Sequence, residues 1–107
     1  MNVNPRIRID PDSLPHLYRR LKAIRLHFAG TDVGAQAWFA KQCGILPSNW
    51  NTWEMGRGQR IGIDAALKVV ERWPVSLDYI YRGKSDALDP NVRKSIRRHE
   101  RALLKED

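Results

Sequence analysis

The chain has 107 residues, room for one hydrophobic core and not for two. Its 19 basic residues outnumber 12 acidic ones, giving a net charge of +7 on a 42% apolar chain, which favours a packed globule with a polyanionic partner, nucleic acid ahead of a membrane surface. The lone Cys43 excludes an internal disulfide and a two-thiol zinc site, no apolar run of signal-peptide type opens the chain, and nothing approaches the ~20 apolar residues of a bilayer span, so a cytoplasmic protein without a membrane role is expected.

Residues 1–12, interrupted by Pro5 and Pro11, read as a flexible arm. Ser13 is placed to cap a first helix, with Pro15 in its opening turn. Leu17, Leu21, Ile24 and Phe28 recur at spacings of four, three and four, one apolar stripe with Arg19, Arg20, Lys22 and Arg25 on the wet sides. "AGTDVGA" (29–35) breaks the pattern. A short second helix follows from Ala35 to Cys43, with Phe39, Ala40 and Cys43 inward, and Gly44 ends it in the left-handed position. Ile45 and Leu46 leave only a tight turn before Pro47, which suits the first position of a third helix, 47–55.

A loop rich in Gly and Arg (56–62) precedes "IDAALKVVERW", a fourth helix with Ile63, Ala66, Leu67, Val70 and Trp73 as its apolar face and Pro74 as its stop. Ser76 caps a fifth short helix that Gly83 terminates. "KSDALDP" (84–90) reads as a hinge, after which Asp89 and Pro90 open a last helix, 91–105. Val92, Ile96, His99 and Leu103 share one side of it, and Arg93, Lys94, Arg97, Arg98, Arg101 and Lys105 make it strongly basic, able to dock on phosphates or a partner, or to remain a solvated tail.

The chemistry concentrates in "PSNWNTWEMGRG" (47–58). At about 100° per residue, Ser48, Asn51, Thr52 and Met55 fall on one face, Trp50 and Trp53 on the other, and Asn49 on the boundary. The tryptophans are expected to anchor the helix. The compact uncharged groups are suited to base edges in a major groove, where Asn pairs with adenine through two hydrogen bonds and Ser or Thr serves either kind of edge. Arg57, Arg60 and the nearby glycines are positioned to meet phosphates, as are Gln36 and the amides opening the second helix.

The chain resembles the Cro- and lambda-repressor-like, xenobiotic-response-element type, helix-turn-helix family over residues 17–83. "RLKAIR" (20–25), "QAWFAKQCGI" (36–45), "WNTWEMGR" (50–57) and "ALKVVERWPVSLDYIYRG" (66–83) carry the resemblance, in that order and spacing. It implies an all-α, five-helix DNA-binding domain over 13–83, here followed by a hinge and an additional basic C-terminal helix over 84–107. The recognition helix then falls on 47–55. The base-reading positions become Pro47, Ser48 and Thr52, with Asn49 and Asn51 as neighbours, and the phosphate contacts Gln36 and Arg57. Departures are visible: Leu46 stands where a capping side chain is usual, Pro47 offers only apolar contact, and the link between the first two helices is about four residues longer. Trp38, where the family has a polar residue, is expected to pack under that longer loop.

The expectation is a sequence-specific regulator of transcription on double-stranded DNA. It is read as a repressor, binding an inverted repeat as a homodimer. Activation, or a protein-interaction role such as an antitoxin or anti-activator, is the alternative. Catalysis, a cofactor and a metal are not expected. No paired carboxylates, nucleophile–base pattern or phosphate loop occurs, and His16, His27 and His99 lack ligand spacing. Cys43 is read as a core residue, and Glu54 as a structural partner for a nearby amide or arginine.

Overall fold

A computed structural model of the chain describes residues 16–56 and 58–106. The expectations for the arm 1–12, the Ser13 cap and Pro15 lie outside the described residues. Within them the secondary structure is helical, with no strand. In chain order the helices are α1 (Leu17–Ala29), α2 (Ala35–Gln42), α3 (Pro47–Met55), α4 (Ile63–Arg72), α5 (Leu77–Arg82) and α6 (Pro90–Glu106).

Local chemistry sets most of these boundaries. The Ser76 hydroxyl accepts from Tyr79 N at 3.0 Å and opens α5. Asp89 opens α6 in the same way, its carboxylate accepting from Asn91 N at 2.9 Å and Val92 N at 3.3 Å. Gly44 and Gly56, at φ 73° each, turn the chain out of α2 and α3 in the left-handed conformation that side chains resist.

α1 is the central element and touches α2, α3, α5 and α6. Its stripe of Leu17, Leu21 and Ile24 is buried as the periodicity requires, with Phe39, Cys43, Trp50, Val69, Ile80 and Ile96 closing around it. Being packed on several sides buries more of α1 than one stripe. Arg20, expected on a wet side, is fully enclosed, and its Nε donates to Ile80 O of α5 at 2.8 Å.

Aromatic rings bind the layers together. Phe28 stacks on Trp73 with centroids 4.7 Å apart, Trp73 on Phe39 at 5.6 Å, Phe39 meets Trp50 at 4.9 Å, and Trp50 meets Trp53 edge-on at 6.1 Å. The series runs from α1 through the end of α4 and α2 into α3, where Phe39 of α2 is the ring that meets Trp50.

Two further sequence expectations need correction. On α4 the buried residues are Ala66 and Val69, while Ile63 and Leu67 are exposed, because neighbours cover only part of the apolar face. Trp38 is 45% exposed rather than tucked under the 30–34 loop: its ring leans on Trp73 at 6.1 Å, and Val33 of the loop points entirely into solvent. Residues 84–106, read as a hinge and a basic helix, pack against the rest of the chain. Ser85 and Leu88 are buried, as are Ile96, Glu100 and Leu103 of α6, which lies along α1. The Tyr79 hydroxyl donates to Glu100 Oε2 at 2.6 Å, and His27 pairs with Ser95 Oγ at 2.8 Å. A thin apolar stripe suffices here because the opposing helix supplies the rest of the buried surface.

Candidate nucleic-acid interface

α3 divides along its length as its helical phase requires. Trp50 and Glu54 are buried, Trp53 is half-buried, and Ser48, Asn49, Asn51, Thr52 and Met55 are exposed. Pro47 is half-buried, and Leu46 just before it is 66% exposed. The helix has no side-chain cap, as Leu46 implies. The omission costs little. Pro47 has no N–H, and Asn49 N donates to Leu46 O at 3.0 Å, so the Ser48 N–H is the first-turn donor without a helical acceptor.

The outward groups are partly preset. Thr52 Oγ1 donates to Ser48 O at 3.0 Å, so its lone pairs face outward as acceptors. Asn51 Nδ2 lies 3.5 Å from Met55 Sδ, a weak contact that aligns the amide along the helix.

Behind this face sits a buried polar cluster on Glu54. Arg25 grips its carboxylate with both ends of the fork, Nε to Oε2 at 3.0 Å and Nη2 to Oε1 at 2.8 Å. Trp50 Nε1 donates to Oε2, and Gln36 Nε2 donates to Oε1 at 3.1 Å. The Glu54 side chain is 4% exposed and that of Arg25 11%. One carboxylate thus ties α1, α2 and α3 together, which makes Glu54 the structural partner that the sequence suggested. The sequence did not reveal Arg25 as its counterion, because the two lie 29 positions apart and outside any helical spacing.

Gln36 stands in the first turn of α2, half-buried, beside amides that no side chain caps. With one amide hydrogen on Glu54, its second is the one available to a phosphate. Arg60 is exposed on the segment after α3, at the rim of a cleft of about 240 Å³ between Tyr18, Trp53 and Ile61. Arg57 lies outside the described residues. The turn between α2 and α3 is braced from α4, where Lys68 Nζ donates to Gly44 O at 3.4 Å and Arg72 Nη2 to Gln42 Oε1 at 3.2 Å. The Arg72 guanidinium also covers the Trp73 ring at 3.9 Å.

Ser48, Asn49, Asn51 and Thr52 therefore share one surface, with Gln36 joined to it through Glu54. Cys43 is buried in the core, and burial pushes its thiol above the ordinary value, as suits an unreactive packing residue. No helix among the described residues is long and apolar enough to cross a membrane. Comparison of the chain with known protein families, with curated protein sequences and with solved structures finds no match.

Proposed function

We propose that the chain is a sequence-specific regulator of transcription with a lambda-repressor-like helix-turn-helix architecture, in which α2 and α3 form the motif and α3 enters the major groove of double-stranded DNA. The observation that carries this reading is the division of α3. Short, uncharged hydrogen-bonding side chains line its solvent face, and Trp50 and Glu54 hold its other face rigidly in the core. Such a face matches base edges in size and in donor–acceptor character. Thr52, with its proton engaged, accepts from an exocyclic amine, and Asn51 makes a two-bond contact to adenine once it leaves Met55. Pro47 and Met55 offer apolar contact to thymine methyls. Gln36, Arg57 and Arg60 hold phosphates.

One such helix reads too few base pairs for genomic selectivity, so the protein acts as a homodimer on an inverted repeat, with α3 helices about 34 Å apart. Its role is repression by occlusion of polymerase, without a cofactor or catalytic step, at the nucleoid in the cytoplasm. Exposed Leu46 and Met55 beside the polar face favour a second reading, a protein-docking role of the antitoxin or anti-activator kind.

Selection from random DNA decides between them. The regulator enriches one symmetric sequence, and Asn51→Ala loses about 1–3 kcal/mol on it while binding random DNA as before. Absence of enrichment, or equal loss on both DNAs, refutes base reading by α3.

A further inference from the structure

α6 carries a feature that base reading by α3 does not use. Lys94, Arg98, Arg101 and Lys105 are all exposed, and at about 100° per residue they fall within about 60° of one another. Ile96, Glu100 and Leu103, buried against the core, lie on the opposite side of the helix. The four cations thus form a straight row about 16 Å long on a helix already docked in the fold. Among the described residues none of the four is in a salt bridge. α1 meets α3 through Arg25 and α6 through His27, about 200° apart around the helix, so the row looks away from the core on a different flank from α3.

We infer that the outer face of α6 is a second, sequence-independent binding surface for the phosphodiester backbone of a DNA duplex, letting one protein join two duplex segments. The spacing and chemistry select this partner. Four unpaired cations on a rigid line release counterions from a polyphosphate with little ordering cost. The row lacks the buried aromatic or aliphatic anchor that a protein interface needs at its centre. It also lacks an apolar wedge for a lipid surface: the core takes up Ile96 and Leu103, and Leu104, 37% exposed near the helix end, is a single side chain outside the row. Joining two segments rests on α3 holding the first duplex; the phosphate binding of α6 does not.

The test compares the full chain with a variant carrying Lys94→Gln, Arg98→Gln, Arg101→Gln and Lys105→Gln, its fold checked by circular dichroism. On a random-sequence duplex of 20 base pairs, binding at the α6 face is a separate event whose log K falls against log salt with a slope of about 3.6, near 0.9 for each of four phosphate contacts, and the variant loses that event. With one duplex immobilised and a second one fluorescent, the parent protein retains the second and the variant loses at least tenfold of it. An unchanged slope, or a variant that still captures the second duplex, overturns the inference. So does displacement of the duplex by poly-glutamate of equal charge at equal concentration, which would make an acidic protein the partner. Asn51→Ala in the same assay keeps the two readings apart: if α3 does not read bases, that variant changes nothing on any sequence, while the slope still reports on α6.

Discussion

Removing the Glu54 carboxylate exposes how much the architecture depends on it. In Glu54→Ala the Arg25 guanidinium keeps its place, 11% exposed, with its bidentate partner gone, and the Trp50 and Gln36 donors lose their acceptor as well. A buried ion pair broken from one side costs about 3–5 kcal/mol, because the remaining charge is left without compensation. Since Arg25 retains some contact with water, the lower half of that range applies. Against a total stability of about 5–15 kcal/mol this is a large fraction, equivalent to a fall in Tm of about 12–30 °C for a domain of this size. Urea denaturation followed by tryptophan fluorescence gives the midpoint directly, with the slope m as a check on two-state behaviour. Replacing both partners by apolar residues, Arg25→Met with Glu54→Leu, restores the part of the loss due to the unpaired charge, while the buried Trp50 Nε1–H still lacks its acceptor. A loss below about 1 kcal/mol in Glu54→Ala would show that the pair behaves like one on the surface and would refute the reasoning.

Two further perturbations follow from the same structure. A Cβ on Gly56 would lie 2.8 Å from the Tyr18 ring at φ +73°, whereas one on Gly34, at φ +86°, meets nothing within 4 Å. Gly34→Ala therefore costs only the left-handed backbone, about 1 kcal/mol, while Gly56→Ala adds an overlap of about 1–3 kcal/mol; equal urea midpoints for the two variants would contradict this. At the α1–α6 contact, burial and then the facing His99 hold His27 below the ordinary histidine value, and burial and then Arg98 do the same to His99. Because the unfolded chain takes up these protons near pH 6.5 and the folded one resists until lower pH, stability is level above about 6.5, falls as the pH drops from there toward the lowered values, and levels off below them. Urea midpoints at pH 7.5 and 5.5 differ in the parent and converge in His27→Gln with His99→Gln; an undiminished difference places the proton uptake elsewhere.

Periodicity and turn chemistry made the helices legible because both act over a few residues. The stripe of Leu17, Leu21 and Ile24, the caps at Ser76 and Asp89, and the glycines after α2 and α3 are each complete within a turn or two of chain. The same locality made the division of α3 readable, since Trp50 and Ser48 differ in phase whatever surrounds them.

Partners were a different matter. Which basic residues of α1 are buried depends on which helices arrive from far along the chain: Arg20 meets a carbonyl of α5 and Arg25 a carboxylate of α3, and neither meeting leaves a periodic trace. The exposure of Ile63, Leu67 and Trp38 was undecided for the same reason, because an apolar side chain is buried only if a neighbour covers it. The docking of α6 shows both halves. By itself the sequence determined that residues 91–105 form a helix with an apolar side and a basic side, because side-chain phase is a property of one helix. Only the tertiary structure decided that α1 receives the apolar side and leaves a row of cations facing water, because burial is a property of the pair.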